Sequence, residues 1–250
     1  MHDDGSVTYC LAMRLDDGLV FLSDTRTNAG VDDIGTYRKL FVFHPAPDRT
    51  IVVQSAGNLA TTQEVLDRID RDLADPDAVD SLATVGALFE ASLYVGRVSV
   101  AVARAHQPAL AASVADGTST FLVGGQIGDQ PPDIHLVYPE GNYIRASDER
   151  PFLQIGEKKY GKFLLELATQ ADVGLEDAAK IALSSMISTA HANLSVGPPY
   201  DLALYRNGSL TFEEHRIEED SEYLIELQQV WVRHLLGAIQ ELPPVPWRAL

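Results

Sequence analysis

The chain has 250 residues, 46% of them apolar and 22% charged, an ordinary globular composition with enough length to bury one sizeable core. Its 19 Lys and Arg stand against 36 Asp and Glu, a formal net charge of -17 that argues against nucleic-acid phosphates and anionic membranes and suits a soluble protein or a basic substrate. A single cysteine, Cys10, excludes an internal disulfide framework; no apolar run approaches the roughly 18 residues of a membrane span; and the acidic opening MHDDGSV has neither part of a secretory signal, so a cytoplasmic location is expected.

Residues Val7 to Leu15 alternate, with Tyr9, Leu11, Met13 and Leu15 on one face and Thr8, Cys10 and Ala12 on the other, the pattern of a strand. Asp16-Asp17-Gly18 tolerates the positive φ of a tight turn and predicts a hairpin to Leu19–Asp24, after which Thr27-Asn28-Ala29-Gly30 leaves the sheet. A second strand pair, Lys39 to His44 and Thr50 to Ser55, is joined by the turn HPAPDR. The period then becomes helical, through Thr62, Val65, Leu66, Ile69 and Leu73, and a second helical region is expected from Ser81 to Ala105.

Strands return at Thr118 to Gly124, Ile134 to Tyr138 and Tyr143 to Ala146. Helices follow at Lys159 to Thr169 and Glu176 to His191, then an Asn207-Gly208 hairpin joins Asp201–Tyr205 to Ser209–His215, and a last helix runs from Ser221 to Ile239. Helices arrive in blocks and do not alternate one by one with strands. That order predicts an α+β fold, a four-layer αββα sandwich of two antiparallel sheets. No repeat or linker divides residues 8–250, which read as one domain behind a short 1–7 extension.

The chemistry concentrates at the front of the chain. A threonine hydroxyl is a weak nucleophile until a base takes its proton, and a free α-amino group on the same residue can serve, since its ordinary pKa of about 7.7 to 8.0 leaves it partly neutral near pH 7. Thr8 would meet that condition once residues 1–7 are absent. A nearby ammonium lowers the amine pKa and a carboxylate holds that ammonium in place. Lys39 and Asp24, at the edges of strands expected beside Thr8, can fill these roles or be an ordinary surface lysine and turn aspartate.

Thr8-Tyr9-Cys10, the run Ser23-Asp24-Thr25-Arg26-Thr27-Asn28-Ala29-Gly30, Arg38-Lys39 and Ser55-Ala56-Gly57 resemble the successive blocks of proteasome β subunits, which are N-terminal-nucleophile (Ntn) hydrolases. The closer resemblance is to the bacterial Anbu group, the ancestral β subunit, through Thr8-Tyr9-Cys10, Gln154-Ile155-Gly156-Glu157-Lys158-Lys159-Tyr160-Gly161-Lys162 and Asn193-Leu194-Ser195-Val196-Gly197-Pro198-Pro199-Tyr200-Asp201. The resemblance implies an Ntn fold, self-assembly into a ring or open spiral, and attack by Thr8 on a peptide or amide bond. It further implies that Lys39 lowers the amine pKa, that Asp24 orients Lys39, that the Gly57 N–H forms an oxyanion hole, and that Asn28 binds extended substrate by strand addition.

Departures accompany the likeness. Glu157 stands where proteasomal subunits have a serine, and Asn193 where they have an aspartate, with Ser195 one residue off the serine of that block. Val7 stands where proteasomal subunits are cut after a glycine, and its branched side chain hinders the turn that self-cleavage needs. Residues 1–7 therefore read as an extension, a propeptide or a mis-called start, with a native initiator expected at position 7.

The remaining signals point elsewhere than catalysis. Seven histidines show no paired metal-ligand spacing, so no metal and no cofactor are expected. Gly124-Gly125-Gln126-Ile127-Gly128 lacks the ending of a phosphate loop and reads as a turn leaving a strand. Cys10 reads as a small buried residue. Leu224, Leu227, Trp231 and Leu235 form one stripe, suited to core packing or to a subunit contact. The expected protein is a threonine peptidase or amidohydrolase working as a homo-oligomer, with any unfoldase partner unspecified. The alternatives are a ring- or spiral-forming peptide-binding module with vestigial activity and a small-amide acylase of the Ntn class.

Overall fold

The computed structural model describes residues 8–28, 34–113 and 116–247. The expected hairpin forms between β1 (Tyr9–Leu15) and β2 (Gly18–Asp24), with Leu15 opposite Gly18. A small ribbon follows, β3 (Arg26–Asn28) against β4 (Ile34–Thr36), in a stretch expected to leave the sheet. Then come β5 (Leu40–Ala46), β6 (Arg49–Gly57), α1 (Leu59–Ala74) and α2 (Leu88–Ser113). The chain continues through β7 (Ser119–Ile127), β8 (Asp133–Val137), β9 (Tyr143–Arg145) and β10 (Phe152–Gly156) to α3 (Lys159–Ala168) and α4 (Leu175–Ala192). It closes with β11 (Tyr200–Arg206), β12 (Phe212–Ile217) and α5 (Glu222–Glu241).

Two five-stranded antiparallel sheets result, one in the order β10-β1-β2-β11-β12 and the other β5-β6-β7-β8-β9. The strand alternation decides the layers, because successive side chains go to opposite faces. Cys10, Ala12, Leu19, Phe21, Val52, Leu122, Ala203 and Tyr205 meet between the sheets. The alternate residues Tyr9, Leu11, Met13, Val20 and Leu22 pack under α3 and α4, and Ile51, Val53, Phe121 and Val123 pack under α1 and α2. This is the expected four-layer αββα sandwich.

Three local expectations are corrected. The helix placed at Ser81 begins at Leu88, because the Ser81 and Thr84 side chains bond nearby backbone and compete with helical pairing: Thr84 Oγ1 accepts the Ser81 N–H at 2.9 Å and Ser81 Oγ accepts the Ala83 N–H at 3.2 Å. Gly124 and Gly125 lie within β7 and do not form a turn; a side chain on Gly124 would strike the Phe21 ring across the sandwich. The stripe on α5 is divided: Leu224 is buried, Leu227 and Trp231 pack partly against the core, and Leu235 is exposed.

Candidate functional site

Thr8 heads β1, and β10, a strand the residue pattern did not indicate, fixes it from one side. Tyr9 lies opposite Gly156 in the ladder, and the Thr8 carbonyl accepts the Glu157 N–H at 2.7 Å. On the other side β2 delivers Asp24 to the same level. Asp24 Oδ1 accepts the Tyr9 N–H at 3.0 Å and the Lys39 ammonium at 2.8 Å, while Oδ2 accepts the Gly197 N–H at 3.4 Å. Lys39, just before β5, also donates to the Arg26 carbonyl at 2.6 Å. One carboxylate thus joins the residue after Thr8 to the lysine.

Thr8, Asp24 and Lys39 are all buried. Burial pushes the Asp24 carboxyl up to about 6, against the opposing pull of Lys39 and of the Tyr9 and Gly197 N–H groups. A pair this dry depends on its geometry, since each charge has given up water and has few partners with which to replace it.

Gly57 ends β6, next to the head of β1: the Cys10 thiol lies 3.6 Å from the Ser55 carbonyl oxygen. Its φ is +118°, and a Cβ there would stand 2.5 Å from the Thr118 carbonyl oxygen, so both backbone and space require glycine. The fold brings Glu157, Asn193 and Ser195 together as well. Glu157 Oε2 accepts the Asn193 Nδ2–H at 3.0 Å, and Asn193 Oδ1 accepts the Ser195 N–H at 3.0 Å. Asn28 pairs through its backbone with Ile34 in the β3–β4 ribbon; its side chain, like residues 1–7 and 29–33, lies outside the described residues.

Two contributors, Gly197 and Arg26, sit within the blocks that carry the family likeness but have no role assigned to them from the chain. Gly197 gives its N–H to Asp24, and a Cβ on it would overlap the Arg26 guanidinium. Arg26 in turn donates from Nη1 to the Leu194 carbonyl at 3.0 Å, holding the 194–197 loop, while its own carbonyl receives Lys39. Thr25 Oγ1 adds a bond to the Pro199 carbonyl at 2.7 Å. Glycine at 197 could have been flagged as a close approach, but the partner becomes visible only once the loop is folded.

Among the described residues, no group of three or more His, Cys, Asp or Glu side chains could hold a metal ion. Among them, no helix is long and apolar enough to cross a membrane. The constellation offers a carboxylate and an ammonium tied to the residue that follows Thr8, with the Gly57 backbone at the end of β6.

No family model matches the chain, and no curated protein matches it. Solved structures do. The chain is similar to Anbu (ancestral beta-subunit) from Yersinia bercovieri, 40% identical with a TM-score of 0.89 over 95% of this chain and 98% of that one. It is similar to the Anbu complex from Pseudomonas aeruginosa, solved as a helical assembly, at 43% identity and TM-score 0.90 over 96% of this chain and 98% of that one. Anbu from Hyphomicrobium sp. strain MC1 is 41% identical, with TM-score 0.86 over 95% of this chain and 99% of that one.

Proposed function

The chain belongs to the Anbu (ancestral beta-subunit) family, and on that premise we propose that it is a threonine N-terminal-nucleophile hydrolase of peptides or amides, with Thr8 as nucleophile. With residues 1–7 absent, the neutral α-amine of Thr8 takes the proton of its own hydroxyl as Oγ1 attacks the scissile carbonyl carbon. The oxyanion that forms is held by the Gly57 N–H. The C–N bond then breaks, the protonated amine gives its proton to the leaving nitrogen, and an ester on Thr8 remains. Water, deprotonated by the same amine, attacks that ester; the C–O bond breaks, the acid departs and Oγ1 recovers its proton.

Lys39 disfavours a second positive charge on the amine and so keeps it a base near neutral pH. Asp24 holds Lys39 in place, and Glu157 and Asn193 brace the Thr8 backbone from the β10 side. Asn28 offers strand pairing to an extended substrate. The observation that carries this reading is the Asp24 carboxylate bonded at once to the Tyr9 N–H and the Lys39 ammonium.

The active form is a homo-oligomer. The helical assembly of the Pseudomonas aeruginosa relative supports this, as do the exposed Leu235, Leu236 and Ile239 of α5 and Leu242 just after it, which the single chain leaves uncovered. A self-assembling module with little activity is the second reading, favoured by the tie of Glu157 to Asn193 at a position where proteasomal subunits have a serine. An electrophilic threonine-directed probe separates the two. A chain trimmed to Thr8 should be labelled and its Thr8→Ala variant should not, with assembly unchanged; no labelling of the trimmed chain supports the module.

A further inference from the structure

Behind the candidate site, the layer between the sheets changes character. The ladder register lines up Cys10, Ser23, Asp201 and Arg216 in one row across β1, β2, β11 and β12. That row faces the second sheet, because Ala12, Phe21 and Ala203, two positions along the same strands, belong to the core between the sheets. Gln54 on β6 faces the same layer, flanked by Val52 and Ala56 on its own strand and by Leu40 and Leu122 on its neighbours. The contact of the Cys10 thiol with the Ser55 carbonyl fixes which part of β6 the row meets.

Ser23 and Gln54 are fully buried and Asp201 is 3% exposed. Among the described residues, none makes a hydrogen bond to Ser23 Oγ, to Gln54 Oε1 or Nε2, or to Asp201 Oδ2. Asp201 Oδ1 is 3.4 Å from Arg216 Nη1, whereas Oδ2 is 3.8 Å from Arg38 Nε, close enough for charge attraction and too far for a hydrogen bond. Packed interiors satisfy nearly all their polar groups, so unpaired atoms of neighbouring residues facing one layer call for partners beyond the protein's own side chains.

The chemistry of these atoms identifies such a partner. Gln54 Nε2 donates, Gln54 Oε1 and Asp201 Oδ2 accept, and Ser23 does either, a mixed set that suits a small neutral molecule able to do both. Arg38 and Arg216 beside Asp201 disfavour a cation, and Asp201 itself disfavours an anion. A buried water makes about three hydrogen bonds, and this set of atoms provides for that.

We propose that this layer is a wet chamber, a binding site for ordered water held by Ser23, Gln54 and Asp201 and closed toward the surface by Arg38. Glu214 pins Arg38 at 3.0 Å, and both residues also line a surface cleft between β5, α1 and β12, on the outer side of Arg38. Ser23 and Arg38 immediately precede Asp24 and Lys39, so the chamber underlies that ion pair whatever reaction Thr8 performs.

High-resolution diffraction from wild-type crystals should show water within about 2.7–3.2 Å of Asp201 Oδ2 and of Ser23 Oγ or the Gln54 amide. In solution, oxygen-17 relaxation dispersion of water should report long-lived internal water that diminishes in Gln54→Leu. Direct contact of Gln54 with Asp201 or Ser23 and no water between them, a metal ion in that place, or undiminished dispersion in a folded Gln54→Leu protein would each overturn the assignment. If Gln54→Leu does not fold, the wild-type density alone decides.

Discussion

Replacing Lys39 by methionine keeps the length of the side chain and removes the ammonium from Asp24. The Lys39 side chain is 7% exposed and that of Asp24 fully buried, so among the described residues the carboxylate is left with the Tyr9 and Gly197 N–H groups. Stranding one member of a buried pair costs about 3–5 kcal/mol. For a domain of this size, where each kcal/mol moves Tm by about 2–4 °C, the midpoint at pH 8 should fall by about 6–20 °C.

The pH dependence makes the cause testable. Burial already raises the Asp24 pKa from 3.8 to about 6, so the folded protein holds this proton more tightly than the unfolded chain and the contribution of Asp24 to stability declines as pH rises between those values. Without Lys39 the folded pKa climbs further and the decline continues to higher pH. The variant's deficit should therefore be large at pH 8 and small at pH 5, where the carboxyl is neutral in both proteins. Asp24→Asn/Lys39→Met, which keeps an acceptor for the Tyr9 N–H and carries no stranded charge, should recover most of the loss. Thermal melts at one fixed protein concentration, since assembly shifts Tm, provide the comparison. Equal deficits at pH 5 and pH 8 would refute the electrostatic reasoning.

Three further outcomes are expected. Probe labelling of the trimmed chain should decline as pH falls through about 6, because protonating Asp24 releases its hold on Lys39; rates measured from pH 5 to pH 8 check this, and a flat profile counts against the role given to the pair. Gly57→Ala should lower labelling by about 10²-fold or more, since a Cβ 2.5 Å from the Thr118 carbonyl oxygen forces the strand end to move; stopped labelling time courses measure it, and wild-type rates would remove Gly57 from the oxyanion site. Gly197→Ala should cost about 1–3 kcal/mol in denaturant melts by overpacking against the Arg26 guanidinium, and Arg26→Ala in the same chain should return part of it.

What could be read before folding was what depends on local pattern. The Asp16-Asp17-Gly18 hairpin and the helical repeat of α1 are written in neighbouring residues, and the Thr8, Asp24 and Lys39 set follows from positions at the edges of three strands together with the family resemblance. Phe152–Gly156 did not read as a strand because it is five residues long and buried almost throughout, with no polar alternation to show its period. The Ser81–Leu88 error came from buried Leu82 and Val85, which mimic helical spacing while the backbone turns on Ser and Thr side chains. The bonds of Gly197 to Asp24 and of Asn193 to Glu157 join residues 173 and 36 positions apart, so only tertiary structure reveals them.

The central claim is that Thr8 carries an acyl group during turnover. Acid quenching of the trimmed wild-type protein with an excess of peptide substrate, followed by mass spectrometry of the N-terminal fragment, should find the acyl ester on Thr8 and none in Thr8→Ala. Turnover with no adduct on Thr8, or with the adduct on another residue such as Cys10, would contradict it.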